Sequence, residues 1–256
     1  MRADSPMAGL RLVDFIIAGA QKSGTTALEL YLSDHPEICV PRKKKELHFF
    51  DRDRNFVAQP VDYAPYHAFF EPLPSHRLLG EATPDYLYWP SAAERMASYN
   101  PALKLIMVLR NPVMRAFSHW NMARHIGRDP LAFFDALHAE PERARTMPPE
   151  LAMRFAYIGR GFYAHQLKRL WRYFPREQTI VFKSEELLES PATVLARIVD
   201  FLGVAPFAAV AVRIVHAYRY DTTMSEEERR YLASIFEPEI RELERLLGWD
   251  CSTWLA

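Results

Sequence analysis

The sequence predicts an α/β fold in which a central parallel sheet is flanked by helices in three layers. Short strands with continuous apolar stretches, typical of strands buried on both faces, are predicted at 15–18, 104–109 and 179–183. A stretch with helical spacing of apolar residues follows each run, and this alternation is characteristic of parallel sheets. With 256 residues and 49% hydrophobic content, we expect one domain over residues 1–256.

The composition argues against several classes of protein. The 32 lysines and arginines balance the 32 aspartates and glutamates, so no overall charge points to a nucleic-acid or membrane-surface partner. No apolar run is long enough for an integral membrane segment. Cys39 and Cys251 are far apart and lack CxxC spacing, so neither a disulfide framework nor a zinc cluster is expected. We therefore predict a cytoplasmic protein whose anion sites are local.

The first predicted strand leads through a glycine-bracketed turn directly into a helix. The turn lies between Gly19 and Gly24, and the helix ends near His35 and Pro36. Backbone N–H groups and the positive end of the helix dipole meet at such a turn. The turn therefore suits a phosphate or sulfate group.

The lysine of this turn lies inside the loop. The P-loop of an ATP- or GTP-binding protein carries Lys-Ser/Thr after its second glycine, but Thr25 and Thr26 stand there in this chain. Lys22 would therefore lie nearer the first bridging group of a nucleotide than the β- and γ-phosphates. The turn resembles the 5'-phosphosulfate loop of sulfotransferases that use 3'-phosphoadenosine 5'-phosphosulfate (PAPS). This resemblance implies a P-loop-like fold, a catalytic role for Lys22, and cofactor contacts from Gln21, Lys22, Ser23, Gly24, Thr25 and Thr26.

A second informative segment, 42–51, places a carboxylate and an imidazole two residues apart. In an extended segment, Glu46 and His48 would project to one side and Leu47 to the other, so the two polar groups could face one cleft. Such a pair can take a proton from an acceptor hydroxyl. Without any family resemblance, a surface ion pair with the neighbouring lysines 43–45 is the commoner arrangement.

The same segment carries a family resemblance. The run Lys-Glu-Leu-His-Phe-Phe-Asp at 45–51 is similar to the segment that holds the catalytic glutamate in heparan sulfate N- and 3-O-sulfotransferases. The resemblance implies catalytic roles for Glu46 and His48, with Glu46 as the base, and an acceptor-binding role for Asp51. Which of Glu46 and His48 accepts the proton stays open. Asp51 and Asp53 alone make too weak a ligand set to predict a metal.

The segment 78–87 reads as a short strand that ends in a proline turn. It resembles the family's E-K-[TS]-P-x-Y element, with Ala82 in place of the lysine. Glu81 is either an acceptor-binding carboxylate or a structural acceptor of backbone hydrogen bonds. The missing lysine argues against a heparan-type acceptor, whereas the lysine run 43–45 favours an anionic partner.

The strand at 104–109 and the helix after it provide a third site element. Arg110 follows the carboxyl end of the strand, where open α/β sheets bind ligands, and Pro112 suits the first turn of a helix predicted to reach Gly127. The pattern L-R-N-P-x-x-R-A-x-S is similar to the family's 3'-phosphate element. The resemblance implies that Arg110 and Ser118 hold the 3'-phosphate of PAPS.

The remaining sequence is mostly helical by prediction. Its helices are predicted at 91–99, 131–138, 162–171, 191–202 and 225–247, with a proline-marked loop at 140–149. Family members often fold a Gly-Arg loop over the nucleotide. Arg219 resembles the arginine of that loop, although the glycine is missing here.

Together, the resemblances imply a single-domain sulfotransferase of bacterial type. It would move a sulfuryl group from PAPS to a hydroxyl or amine and release adenosine 3',5'-bisphosphate (PAP), with no metal. A P-loop kinase acting on a small metabolite and a non-catalytic nucleotide- or glycan-binding protein are the alternatives. The acceptor is open among saccharides, lipids, peptides and phenolic small molecules, and the sequence does not predict the oligomeric state.

Overall fold

The fold contains a five-stranded sheet. A computed structural model of the chain describes residues 11–210 and 222–255, so Arg219 lies outside the described residues. The sheet order is β2-β3-β1-β4-β5, and the pairs β2–β3, β3–β1 and β1–β4 run parallel. The strands are β1 (Phe15–Gly19), β2 (Ile38–Cys39), β3 (Leu78–Ala82), β4 (Lys104–Leu109) and β5 (Thr179–Lys183). The predicted α/β fold with a central parallel sheet is confirmed.

Ten α-helices are found among the described residues. They are α1 (Thr25–Ser33), α2 (Ala64–His67), α3 (Ala92–Tyr99), α4 (Pro112–His125), α5 (Phe133–Thr146), α6 (Pro149–Ala152), α7 (Tyr163–Leu170), α8 (Ser184–Glu189), α9 (Pro191–Leu202) and α10 (Glu226–Leu247). Short 3₁₀ turns connect several of them.

Contacts divide the chain into two compact units. Of the described residues, the first unit holds 11–20, 24–108 and 170–210, and we call it the sheet unit. The second holds 21–23, 109–169 and 222–255, and we call it the helical unit. The prediction of one domain over residues 1–256 stays a prediction.

The core of the sheet unit forms where helices cover the buried strands. All five residues of β1 are buried, as expected for a strand covered on both faces. Phe15 and Ile17 pack in one cluster with Leu28 of α1 and Ile198 of α9. Burying these side chains contributes about 1.5–3 kcal/mol each, and it fixes the ends of β1 and α1.

The helical unit contains the longest helix of the described chain. The Ser225 side chain accepts a hydrogen bond from Glu228 N, and the Glu228 side chain accepts one from Ser225 N, so a capping box starts α10. Gly248 ends it with a φ of 67°. The apolar face of α10 is buried, and the Phe236 ring contacts that of Phe162 at 5.6 Å between centroids.

The predicted loop at 140–149 is wrong over most of its length, because α5 continues through Pro141 to Thr146. The Glu140 carboxylate accepts hydrogen bonds from Ile158 N at 2.7 Å and Gly159 N at 2.8 Å. Arg143 donates to both carboxylate oxygens of Asp129, at 2.6 and 3.0 Å. These tertiary bonds stabilise the helix despite its internal proline.

None of the helices in the described part of the chain combines the length and the apolar content needed to cross a bilayer.

Candidate active site

The turn between β1 and α1 depends on two glycines. A Cβ atom at Gly19 would lie 2.6 Å from the Leu87 side chain, so no larger residue fits there without displacing it. Gly24 is the N-cap of α1 with a φ of 100°, a left-handed conformation that glycine adopts at little cost. No side chain caps α1. Its first N–H groups therefore remain suited to an anion.

The predicted cofactor residues of this turn differ in exposure. Ser23 and Thr25 are buried, Gln21, Lys22 and Thr26 are half-buried, and Gly24 is exposed. Residues 21–23 belong to the helical unit, whereas Gly24 and α1 belong to the sheet unit.

Within the helical unit, Arg110 lies against the Lys22 backbone. Its Nη1 donates a hydrogen bond to the Lys22 carbonyl oxygen at 3.3 Å. The Tyr163 hydroxyl donates to the Arg110 carbonyl oxygen at 3.0 Å, which anchors the arginine backbone. Two elements that are 88 residues apart in sequence, and that were predicted to hold one nucleotide, are thus in direct contact.

The start of α4 orients Arg110 and Ser118. The Asn111 carboxamide oxygen accepts from Val113 N at 3.0 Å and Met114 N at 3.4 Å, and Pro112 occupies the first turn as predicted. Ser118 lies two helical turns further on and is only 5% exposed.

Within the sheet unit, Glu46 and His48 meet, although not as the sequence suggested. The expected extended segment is wrong: φ is 55° at Glu46 and 53° at His48, and no strand forms there. Leu47 between them is buried at 4% exposure, so the two left-handed residues turn the backbone around an anchored side chain. Glu46 Oε2 lies 3.5 Å from His48 Nε2.

His48 is surrounded by carboxylates. Its Nδ1 forms a 2.6 Å hydrogen bond with Asp51 Oδ2 and lies 4.0 Å from Asp85 Oδ2. Burial alone would lower the pKa of His48, but the hydrogen bonds with Asp51 and Glu46 and the charges of Asp51 and Asp85 outweigh burial and raise the pKa to about 10. The imidazole is therefore protonated near neutral pH and is a hydrogen-bond donor.

The Glu46 carboxylate has the opposite character. Burial would raise its pKa, but the hydrogen bond from His48 and the charge of Lys45, whose amine lies 3.4 Å from Glu46 Oε1, lower it overall. Glu46 is therefore ionised near neutral pH and can accept a proton.

Asp51 and Glu81 are both enclosed by protein. Asp51 is 0% exposed, so its position favours holding His48 over contacting an acceptor. Glu81 is 1% exposed and accepts hydrogen bonds from the Tyr66 hydroxyl at 2.9 Å and the Thr83 hydroxyl at 2.6 Å. Burial raises its pKa to about 7. Both donors are side-chain hydroxyls and not the backbone N–H groups of the structural alternative, so the role of Glu81 stays a prediction.

One group among the described residues has the composition of a metal site. Ligand atoms of His48, Asp51 and Asp85 lie within 4.8 Å of one another. A protonated imidazole donates hydrogen bonds and would have to lose its proton before it could ligate an ion. In this geometry the imidazolium places one positive charge between the two carboxylates.

Backbone strain is concentrated at the predicted catalytic residues. Three non-glycine residues of the described chain have positive φ, and they are Lys22 (69°), Glu46 and His48. Such a conformation costs about 1–2 kcal/mol per residue. Residues held in this way cluster at functional sites, where packing maintains the strain.

Sequence reasoning missed three residues of this region. Asp85 lies beside His48, Lys45 donates to the Thr26 hydroxyl, and Glu29 of α1 is buried at 7% exposure. The signal for Glu29 was a carboxylate next to Leu28 on the apolar face of α1. For Lys45 and Asp85, no sequence pattern distinguished them from other charged residues of a loop.

Known proteins resemble this chain over most of its length. The family model of the sulfotransferase domain matches residues 12–242. The human bifunctional heparan sulfate N-deacetylase/N-sulfotransferase 3 is 35% identical over 208 residues, which cover 77% of this chain and 23% of that protein. The heparan sulfate glucosamine 3-O-sulfotransferase 6 of Mus musculus is 34% identical over 75% of this chain and 53% of its own.

A solved structure is similar throughout. The crystal structure of a sulfotransferase from Alicyclobacillus acidocaldarius shares 32% identity and superposes with a TM-score of 0.81, covering 96% of this chain and 100% of that one. By contrast, this chain spans less than a quarter of the length of the human relative.

Proposed function

The chain belongs to the sulfotransferase family, and from this premise we propose that it transfers the sulfuryl group of PAPS to a hydroxyl or amine of an acceptor and releases PAP. The observation that carries the proposal is that the strained backbone conformations occur at the residues with proposed catalytic roles. Lys22, Glu46 and His48, to which the family resemblance assigns catalytic roles, are the three non-glycine residues with positive φ among those described.

The donor would be bound by the β1–α1 turn and by Arg110. In this proposal, the uncapped N–H groups of α1 and the Lys22 amine receive the 5'-phosphosulfate, with Gln21, Ser23, Thr25 and Thr26 lining the turn. The Arg110 guanidinium, hydrogen-bonded to the Lys22 carbonyl, and Ser118 would hold the 3'-phosphate. Arg219 is kept as a candidate nucleotide contact from the sequence alone.

The acceptor would be activated by Glu46. Its lowered pKa leaves a carboxylate ready to accept a proton. The pKa of His48 is raised to about 10, so both of its ring nitrogens are already protonated and neither can accept a proton. His48 would instead donate a hydrogen bond toward the reacting groups. Asp51 would be a positioning residue that keeps the imidazolium in place.

The proposed reaction is a single displacement at the sulfur atom. The acceptor oxygen or nitrogen forms a bond to sulfur while the bond between sulfur and the bridging oxygen of the 5'-phosphate breaks. The acceptor proton passes to Glu46, and the electron pair of the broken bond stays on PAP. Lys22 would stabilise the negative charge that develops on the bridging oxygen, a contact that strengthens in the transition state.

The relatives give weaker support for a class of acceptor than for the transfer of a sulfuryl group. The human and mouse relatives described above are named for heparan sulfate or its glucosamine, whereas the bacterial structure is named only as a sulfotransferase. A saccharide is therefore one candidate acceptor for this chain, beside lipid and phenolic hydroxyls.

Release of PAP from PAPS in the presence of saccharide, lipid and phenolic acceptors tests the proposal directly. We expect Glu46→Gln and Lys22→Ala each to lower turnover about a hundredfold, because each removes a contact made mainly in the transition state. Glu46→Gln should still bind PAP in calorimetry. Glu94→Gln, which removes an exposed carboxylate of α3, is the matched control and should keep its activity.

Wild-type turnover in Glu46→Gln or Lys22→Ala would remove that residue from the mechanism. Phosphoryl transfer from ATP in place of sulfuryl transfer from PAPS would overturn the proposal in favour of a kinase.

A further inference from the structure

Glu29 is a buried carboxyl group for which the described residues provide no hydrogen-bond donor. It lies on the second turn of α1 and is 7% exposed. No hydrogen bond or ion pair of its carboxyl is found within the described part of the chain. Burying a carboxylate without hydrogen bonds is costly, so such a group needs a reason to be kept.

The electrostatic neighbours of Glu29 belong to the proposed acceptor side. They are Lys45, Glu46 and Glu81, all in the sheet unit. Lys45 donates to the hydroxyl of Thr26, three residues before Glu29 on the same helix, and approaches Glu46 Oε1 at 3.4 Å. Glu29 thus shares Lys45 with the proposed base.

The pKa of Glu29 supports this placement. Burial raises it to about 7, the charge of Lys45 opposes that rise, and the charges of Glu46 and Glu81 add to it. The group therefore changes charge within the physiological pH range.

The side-chain amines of the neighbouring lysine run, 43–45, already contact other groups of the chain. Lys43 pairs with Glu71, Lys44 donates to the Leu47 carbonyl oxygen at 3.3 Å, and Lys45 is engaged as described above. The run is therefore a weaker attractant for an anionic acceptor than the sequence indicated.

Carboxyl groups outnumber cations around the proposed base. Lys45 and the protonated His48 stand against four carboxyls that neighbour one of them, namely Glu29, Glu46, Asp51 and Asp85. When all four are ionised, the group carries two more negative than positive charges. Such a field repels anions and attracts cations and hydrogen-bond donors.

We propose that Glu29 is a specificity-determining residue of the acceptor site, and that the acceptor carries a cationic or neutral hydrogen-bond-donating group beside its reacting hydroxyl. Carboxylated or sulfated acceptors are disfavoured. This inference rests on the proposed function, because it assigns a substrate class to that same site.

Three matched phenols test the inference. Tyramine, tyrosol and 4-hydroxyphenylacetate share one phenol ring and differ in the charge of the other end, which is positive, neutral and negative. Their affinities for the full chain saturated with PAP are measured by calorimetry or ligand-observed NMR at pH 8. We expect tyramine to bind tightest and 4-hydroxyphenylacetate weakest, with about a tenfold span.

Glu29→Gln isolates the residue with little change in shape. In this variant, the preference for tyramine over tyrosol should fall at least about threefold, whereas Glu94→Gln should keep the wild-type order. The preference of the wild type should also grow from pH 6 to pH 8, as Glu29 ionises, and stay flat in Glu29→Gln. Glu81, which has a similar pKa, is present in both proteins, so the comparison separates the two groups.

Tighter binding of 4-hydroxyphenylacetate than of tyramine, an unchanged order in Glu29→Gln, or no binding of any phenol would each overturn the inference. A structural role alone would change Tm without changing the order. Release of PAP from PAPS tests the proposed function separately, and it can stand while this inference fails.

Discussion

His48 is held as a cation by the side chains around it. Its Nδ1 is bonded to the wholly buried Asp51, and Glu46 approaches its other ring nitrogen. The pKa of His48 is raised to about 10 and that of Glu46 is lowered, which favours the proposed assignment of Glu46 as the base. The sequence left the choice between the two residues open because Asp51 comes into contact with His48 only in the fold.

Replacing Asp51 should expose this dependence. Asp51→Asn removes the strongest partner that favours the charged imidazole, so the pKa of His48 should fall by about one unit or more. The alkaline limb of the pH–rate profile should then move to lower pH, while the KM for PAPS stays unchanged. A uniform loss of rate at all pH values would contradict the positioning role.

Asp200→Asn is the matched control for that experiment. It removes an exposed carboxylate from α9 of the same unit and should leave the profile unchanged.

At the residue scale, the sequence pointed to candidate residues but not to their conformation. Lys22, Glu46 and His48 were named because their segments resemble sulfotransferase motifs, and without that resemblance Glu46 and His48 fit a surface ion pair better. Their positive φ values could not be, because nothing local favours a left-handed backbone for lysine, glutamate or histidine. Tertiary packing, such as burial of Leu47, imposes it.

Among the elements, α1 has a start and an apolar face that the sequence predicted, but it also contains the buried Glu29, which sequence reasoning missed. Gly24 begins it and its apolar face packs on the sheet, as the periodicity indicated. The bounds of α9 and α10 were equally predictable, because Pro191, Gly203, Ser225 and Gly248 mark their ends. The bounds of α5 were not, since the bonds that stabilise it come from residues distant in sequence.

The stability of the fold should depend on pH through Glu29 of α1. Its pKa is raised from 4.5 to about 7, so its stabilising contribution is complete below about pH 4.5 and is lost as the pH rises through about 7. At 1.36 kcal/mol per pKa unit, the loss is on the order of 3 kcal/mol, or several degrees in Tm. Glu29→Gln should therefore raise Tm at pH 8 and change it little at pH 5.

Differential scanning calorimetry of wild type, Glu29→Gln and Glu94→Gln at both pH values measures this effect. An equal change in Tm at pH 5 and pH 8 would show that Glu29 does not titrate in the folded chain.

At the scale of the whole molecule, nucleotide binding should appear as a gain in stability. A ligand at a hundredfold excess over its Kd stabilises the folded state by about 2.7 kcal/mol, or roughly 5–10 °C for a chain of this size. PAP should raise Tm more than AMP, which lacks the 3'-phosphate. Arg110→Ala should remove most of that difference, because Arg110 is the proposed 3'-phosphate ligand.

Arg172→Ala serves as the control, because it removes an exposed arginine from the sheet unit. Equal stabilisation by PAP and AMP in the wild type would argue against a 3'-phosphate site.

The architecture was predictable as a whole because its signals are local and repeated. Buried apolar runs, each followed by a helical stretch, indicated the parallel sheet, and the structure has it. The acceptor was not predictable, because the charges that we propose for its recognition come together only in the folded chain. Lys43 and Lys45 looked like an anion-binding run until their partners Glu71 and Glu46 were in place.

The left-handed backbone at residues 22, 46 and 48 has a consequence for directed evolution. Asparagine and glycine tolerate that conformation better than lysine, glutamate or histidine. A library screened for heat resistance alone should therefore enrich those two amino acids at the three positions, and the enriched clones should be inactive. Thermostability campaigns on this scaffold need an activity screen in every round.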